Sequence, residues 1–149
     1  ATSTSRDVEV EGVTVTKSGM KRIIKNTAQR YSVAVPLNLL IARSVRSDWI
    51  ELHDRNFMCQ GDPLCSPVIR IMVKEGNIND VISSYPPRSK VEETTDASGE
   101  TVYVFEEVIP GKLDGYRYYW SRGKKLYSLQ ISKIDAPSYV DVINSFKLE

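Results

Sequence analysis

Cys59 and Cys65 have the most definite chemistry on offer in this sequence, because they enclose Gln60, Gly61, Asp62, Pro63 and Leu64 in a very short loop. A disulfide closes that loop if the backbone turns at Gly61 or Pro63. By the chain-entropy model so small a loop contributes somewhat under about 3 kcal/mol, so a bridge would stiffen a local surface more than hold a domain. Two unpaired thiols in a reducing compartment are the other reading of the same spacing. A stiff loop is also a candidate binding finger, since preorganisation lowers the entropy lost on docking; the plainer reading is a strand connection with a staple. Lys112 and Asp114, in the connection spanning 110–115, are further candidate contacts.

His53 is the only histidine, with Asp54 beside it and Asp48 and Glu51 upstream. Acid/base chemistry needs groups within hydrogen-bond reach, and neighbours on a strand point to opposite faces, so the His53-Asp54 adjacency carries little weight. A lone histidine reads as a surface or structural residue. Zinc needs about four nitrogen or sulfur ligands, which one histidine and two cysteines do not supply, and no other metal or cofactor is indicated. The chain has no Gly-x-Ser-x-Gly elbow, no phosphate-binding glycine loop and no paired-histidine motif, and its cysteines are not Cys-x-x-Cys. The expectation is a protein that is not an enzyme.

The densest aromatic cluster is Tyr116, Tyr118, Tyr119 and Trp120, with Tyr127 across the next turn. Alternation sends Tyr116, Tyr118 and Trp120 to one sheet face and Arg117, Tyr119 and Ser121 to the other, leaving open which set is core and which is partly exposed. Lys17, Lys21, Arg22, Lys25, Arg122, Lys124 and Lys125 read as solvated edges. Glu92, Glu93, Glu106 and Glu107 offset them, and a net charge of +1 gives no field toward nucleic acid or anionic lipid.

At 149 residues the chain fits one domain with an ordinary core. Val8, Val10, Val13 and Val15 alternate with polar residues but slip at Gly12, where a bulge or tight turn absorbs the extra residue. Met20 to Lys25 reads as an edge strand, Tyr31 to Pro36 as a strand ended by proline, and 37–47 as a loop carrying Leu39, Leu40 and Ile41 inward. Strands follow at 49–52 and 68–74. Asn77 caps a helix with Ile78, Val81, Ile82 and Tyr85 on one face. Lys90 to Thr95, Val102 to Ile109, Tyr116 to Ser121 and Leu126 to Ile134 are further strands. Asp135 starts a final helix with Tyr139, Val142, Ile143 and Phe146 at i, i+3, i+4 and i+7. The fold class is α+β, a mostly antiparallel sheet with a short middle helix and a C-terminal helix packed on it.

The YSVAVP strand, the VIRIMV strand, the helix from Ile78, and the ending GYRYYWSRGKKLYSLQISKID through VDVINSFKLE together resemble the PsbP-like family. The resemblance covers roughly residues 29–148, leaving 1–28 as an N-terminal addition, and implies that family's mix of accessory proteins, small lipoproteins and a Ran-binding factor. Together with the cysteines it points to an exported protein, periplasmic or extracellular, whose only membrane link would be a lipid anchor ahead of Ala1. The expected partner is another protein, with an inhibitor or immunity protein that blocks a secreted enzyme as the sharpest version. The alternative is a periplasmic accessory lipoprotein holding a small molecule, lipid or metal between the sheet and the final helix.

Overall fold

The runs of alternating residues become antiparallel strands in the computed structural model, which describes residues 7–55, 67–86, 90–107 and 114–149. The smaller sheet comprises β1 (Val13–Ser18), β2 (Lys21–Asn26), β3 (Tyr31–Pro36) and β11 (Lys147–Leu148), in the order β1-β2-β3-β11. The larger comprises β4 (Leu39–Arg46), β5 (Trp49–Asp54), β6 (Ile69–Glu75), β7 (Lys90–Thr95), β8 (Thr101–Glu107), β9 (Gly115–Arg122) and β10 (Lys125–Ser132). Its order is β4-β5-β6-β10-β9-β8-β7. This is a single α+β domain with two short helices, α1 (Ile78–Ser84) and α2 (Val140–Ser145). No described helix is long and apolar enough to cross a membrane.

The main core lies on one face of the large sheet. Ile50, Ile71, Leu129, Tyr118 and Val104 stand in one register row across five strands. They pack with Ile24, Val33 and Val35 of the small sheet and with Val142, Ile143 and Phe146 at the end of the chain. Phe146 is the hub, with its ring 5.0 Å from Tyr31 and 4.2 Å from Trp120. On the opposite face Val81 of α1 covers Phe105, Tyr119 and Leu126, with Tyr85 stacked on Phe105 at 4.3 Å. Both faces of β9 therefore hold core: Trp120 in the main core, Tyr119 under α1.

The helix ends follow from their caps. Asn77 accepts the Asn79 N–H at 2.8 Å, so α1 begins where its sequence indicates. The final helix does not start directly at Asp135. Residues Ala136–Tyr139 form a 3-10 turn containing Pro137, and the Asp135 carboxylate accepts from Ser132 Oγ at 2.8 Å instead of capping the helix.

Three expectations are corrected. The stretch read as a loop at 37–47 contains β4; shifts of register between Ile41 and Arg43 and between Arg43 and Arg46 break its alternation, which hides the strand. The strand read as an edge, β2, is internal, because β1 pairs along one side and β3 along the other. Arg22, read as a solvated edge residue, is only 9% exposed, since its side chain points between the sheets beside Ile24. The slip at Gly12 is a turn: its φ is +80°, and a Cβ there would sit 2.7 Å from that of Ala28.

Candidate functional site

Two arrangements of polar side chains stand out, one on the outer face of the large sheet and one at its edge. On the outer face, Glu51, Arg70, Gln130 and Arg117 occupy one register row of β5, β6, β10 and β9. Glu51 Oε2 accepts from Trp49 Nε1 at 2.9 Å and Arg70 Nε at 3.2 Å. Arg70 donates to Gln130 Oε1 at 3.1 Å, and Gln130 Nε2 donates to Glu107 Oε1 at 2.9 Å. Glu107 also accepts from Arg117 Nε at 2.6 Å and from the Tyr85 hydroxyl at 3.1 Å.

This ladder contains His53, and its partner is two residues away rather than adjacent. His53 Nε2 lies 3.6 Å from Glu51 Oε1, because residues i and i+2 share a strand face. Burial raises the Glu51 pKa, but the Trp49 indole N–H, the Arg70 charge and the His53 side chain outweigh it and hold the carboxyl below its ordinary value. Glu51 is thus a fixed anion held by the Arg70 guanidinium and by side-chain N–H donors. His53 is 5% exposed, and a general base must reach its substrate. Each carboxylate is answered by a guanidinium on the next strand, so the ladder ties five strands together.

The second arrangement concerns how the sheet edges are finished. Beyond β11 the edge of β3 is capped by Ser145, whose Oγ accepts the Ala34 N–H at 2.9 Å and lies 3.1 Å from the Ala34 carbonyl. The edge of β4 is covered by residues 7 and 8. Asp7 Oδ1 accepts the Ile41 N–H at 2.9 Å, and the Val8 N–H donates to the Ile41 carbonyl at 2.7 Å. Arg22 donates to the Leu39 carbonyl and pairs with Asp7 Oδ2. β7 is broken by a register shift after Lys90 and exposes Glu92 and Glu93.

β1 is finished differently. It pairs with β2 in an unbroken register from Val13 to Ser18, and among the described residues no strand pairs with its other side. The Thr27 N–H donates to the Gly12 carbonyl at 2.8 Å, which fixes the phase of the ladder. Antiparallel alternation then turns the N–H and C=O of Val15 and Lys17 outward, while the side chains of Val13, Val15 and Lys17 face between the sheets.

There they meet a trough of about 760 Å³. β1 and β4 are the end strands of their sheets on this side, and residues 7–10 close the gap only in part. Val10, Val13, Val15, Leu37, Leu40 and Ile41 form its apolar lining. Lys17, Arg22 and Arg55 bring positive charge, with Asp7, paired to Arg22, and Glu9 also in the lining. An apolar floor, outward backbone groups and fixed cations can hold an extended chain that carries an acid.

Of the residues singled out in the sequence, Gln60, Gly61, Asp62, Pro63, Leu64, Lys112, Cys59 and Cys65 lie outside the described residues. Asp114 is exposed next to β9, its carbonyl accepting the Lys133 N–H at 3.0 Å. The space expected between sheet and final helix is filled by Val142, Ile143 and Phe146, so the described trough lies elsewhere. Its signal in the sequence is the row of valines before and after Gly12 with Lys17 continuing it. No protein-family model matches the chain, and a search of curated proteins found no match.

Proposed function

We propose that the protein is a non-catalytic, exported binding module that takes up an extended acidic segment of another protein by strand addition to β1. The single observation that carries this reading is the regular edge of β1 beside the trough, unpaired among the described residues. Strand addition uses main-chain hydrogen bonds for affinity and pockets for alternate side chains for specificity. Both are present at Val15, Lys17 and the valine-lined floor. The β1–β2 hairpin contains Lys17, Lys21, Arg22 and Lys25 and no carboxylate, which favours an acidic segment. A secreted enzyme blocked by this module is the partner class that fits an exported inhibitor or immunity protein. A PsbP-like fold is the finer architecture we assign, supported by the large antiparallel sheet with a helix on either side and by the Ser145-Phe146-Lys147 ending.

The test is an affinity pull-down from secreted and periplasmic proteins of the same organism, run in parallel with wild type and Val15→Pro. Proline at 15 removes an outward N–H and leaves the β1–β2 bonds in place. The expected result is one stoichiometric partner, burying at least about 1,000 Å² with the wild type and lost with the variant. A partner held equally by both proteins would overturn strand addition. A small amphiphile raising the melting temperature, with no protein captured, would turn the trough into a ligand pocket.

A further inference from the structure

The trough holds a buried guanidinium that is only partly used. Arg22 donates one terminal nitrogen to Asp7 Oδ2 and the other to the Leu39 carbonyl. Its Nε is buried and makes no hydrogen bond. A guanidinium presents five N–H donors in a planar fork suited to two-point pairing with a carboxylate. Asp7 does not use that fork in full, because its second oxygen is committed to the Ile41 N–H at 2.9 Å. The carboxylate is divided between the edge of β4 and Arg22.

Resting on the trough as a recognition site, we propose that Arg22 is its carboxylate anchor and that Asp7 is a resident stand-in, exchanged when a partner's Asp or Glu pairs with the fork. The position fits. Arg22 pairs with Lys17 in the β1–β2 register and both line the trough, so a strand added along β1 passes beside Lys17 and can direct an acidic side chain across it toward Arg22. The segment bearing Asp7 stays attached to β4 through Asp7 Oδ1 and the Val8 N–H, so the exchange asks only that Asp7 Oδ2 give up Arg22. The incoming carboxylate would need to be flanked by small apolar residues at alternate positions, matching the valine floor.

The probe is a fluorescent synthetic peptide of residues 5–11 carrying Glu9→Val and Glu11→Val, which supplies a single aspartate with valines at the alternate positions after it, titrated into the full chain. Wild type, Asp7→Asn and Arg22→Gln are compared, and each peptide is made with its aspartate intact or changed to asparagine. Asp7→Asn should bind the acidic peptide at least tenfold more tightly than wild type. Arg22→Gln and the asparagine peptide should lose that gain. A Kd for Asp7→Asn within twofold of wild type overturns the proposal, as does equal binding of the two peptides to Asp7→Asn. The peptide comparison decides the matter even if Arg22→Gln does not fold. Peptide binding without a captured protein would retain the anchor and remove the strand-addition partner; the reverse would retain the partner and remove the anchor.

Discussion

Changing Ser145 to alanine tests how the end of the chain completes the small sheet. The Ser145 hydroxyl accepts the Ala34 N–H at 2.9 Å and can donate to the carbonyls of Ala34, at 3.1 Å, or Val142, at 2.7 Å. β11 pairs only with Tyr31 and Ser32, so past that point the hydroxyl stands where a strand would be. Ser145→Ala leaves a half-buried amide and carbonyl without this partner. An orphaned buried group costs about 1–3 kcal/mol, and partial access of water puts this one toward the lower end, about 1–2 kcal/mol. For a domain of this size that is a fall in Tm of roughly 2–8 °C. For scale, Phe146→Ala next to it should cost about 3–5 kcal/mol, because its ring is fully buried. Thermal melts with residue-resolved hydrogen exchange are the assay: Tm should fall and the Ala34 amide should lose protection. A Tm unchanged within a degree, with Ala34 still protected, would refute the cap.

The remaining tests address the edge and the ladder. Val15→Pro should weaken a strand-adding partner by roughly 30-fold, because the one N–H it removes leaves the partner's carbonyl unpaired at a cost of about 2 kcal/mol, as measured by titration calorimetry. Thr16→Pro, which removes a bond inside the hairpin, should instead lower Tm by more than Val15→Pro; the opposite ranking would mean that the ladder phase is misassigned. Because Glu51 has a depressed pKa, its contribution to stability is present above the ordinary value of 4.5 and is lost as pH falls through the folded-state value. Urea midpoints between pH 3 and 7 should therefore decline toward acid, and Glu51→Gln should flatten part of that decline. Curves that run parallel would show that Glu51 is not the group responsible. Asp96 belongs to the same acid limb: burial raises its pKa, but hydrogen bonds from Ser98, the Glu100 N–H and Trp120 Nε1 outweigh it and lower the value.

Local pattern carried most of the elements. The alternation at Tyr31–Pro36, Ile69–Glu75 and Lys125–Ser132, the Asn77 cap and the apolar face at Val142, Ile143 and Phe146 each depend on neighbours within a turn or a strand. β4 was hidden because two register shifts break its period, and because burial on both faces makes Leu39, Leu40 and Ile41 a continuous apolar run. The two-residue β11 has no period to detect. Arg22 was misplaced, and the partner of His53 was not identified, for a different reason. A charged residue in an alternating strand points inward or outward according to strand pairing, and the partners that make its burial tolerable, Asp7 for one and Glu51 for the other, are known only once register is set. The trough is non-local in the same sense, since it joins residues 7–22 to 37–55.

An open edge strand is a hazard that natural sheets usually suppress, so the treatment of β1 needs a reason. The other edges are covered or broken by Ser145, by Asp7 and Val8, and by the register shift and glutamates of β7. On β1 the only charged residue is Lys17, and its side chain faces the trough. An inward lysine is itself a defence, because a neutral strand laid over it would bury an ammonium without a partner. The same residue admits a strand that supplies a carboxylate at that position. Lys17 with Arg22 opposite it therefore converts a general barrier to aggregation into a condition on the partner's charge. The ladder on the far face, running from Glu51 to Arg117, complements this arrangement. It holds five strands in one register, and β4, paired to the first of them, is fixed as one wall of the trough. A recognition edge works in this way only if its walls do not shift to accommodate the wrong strand.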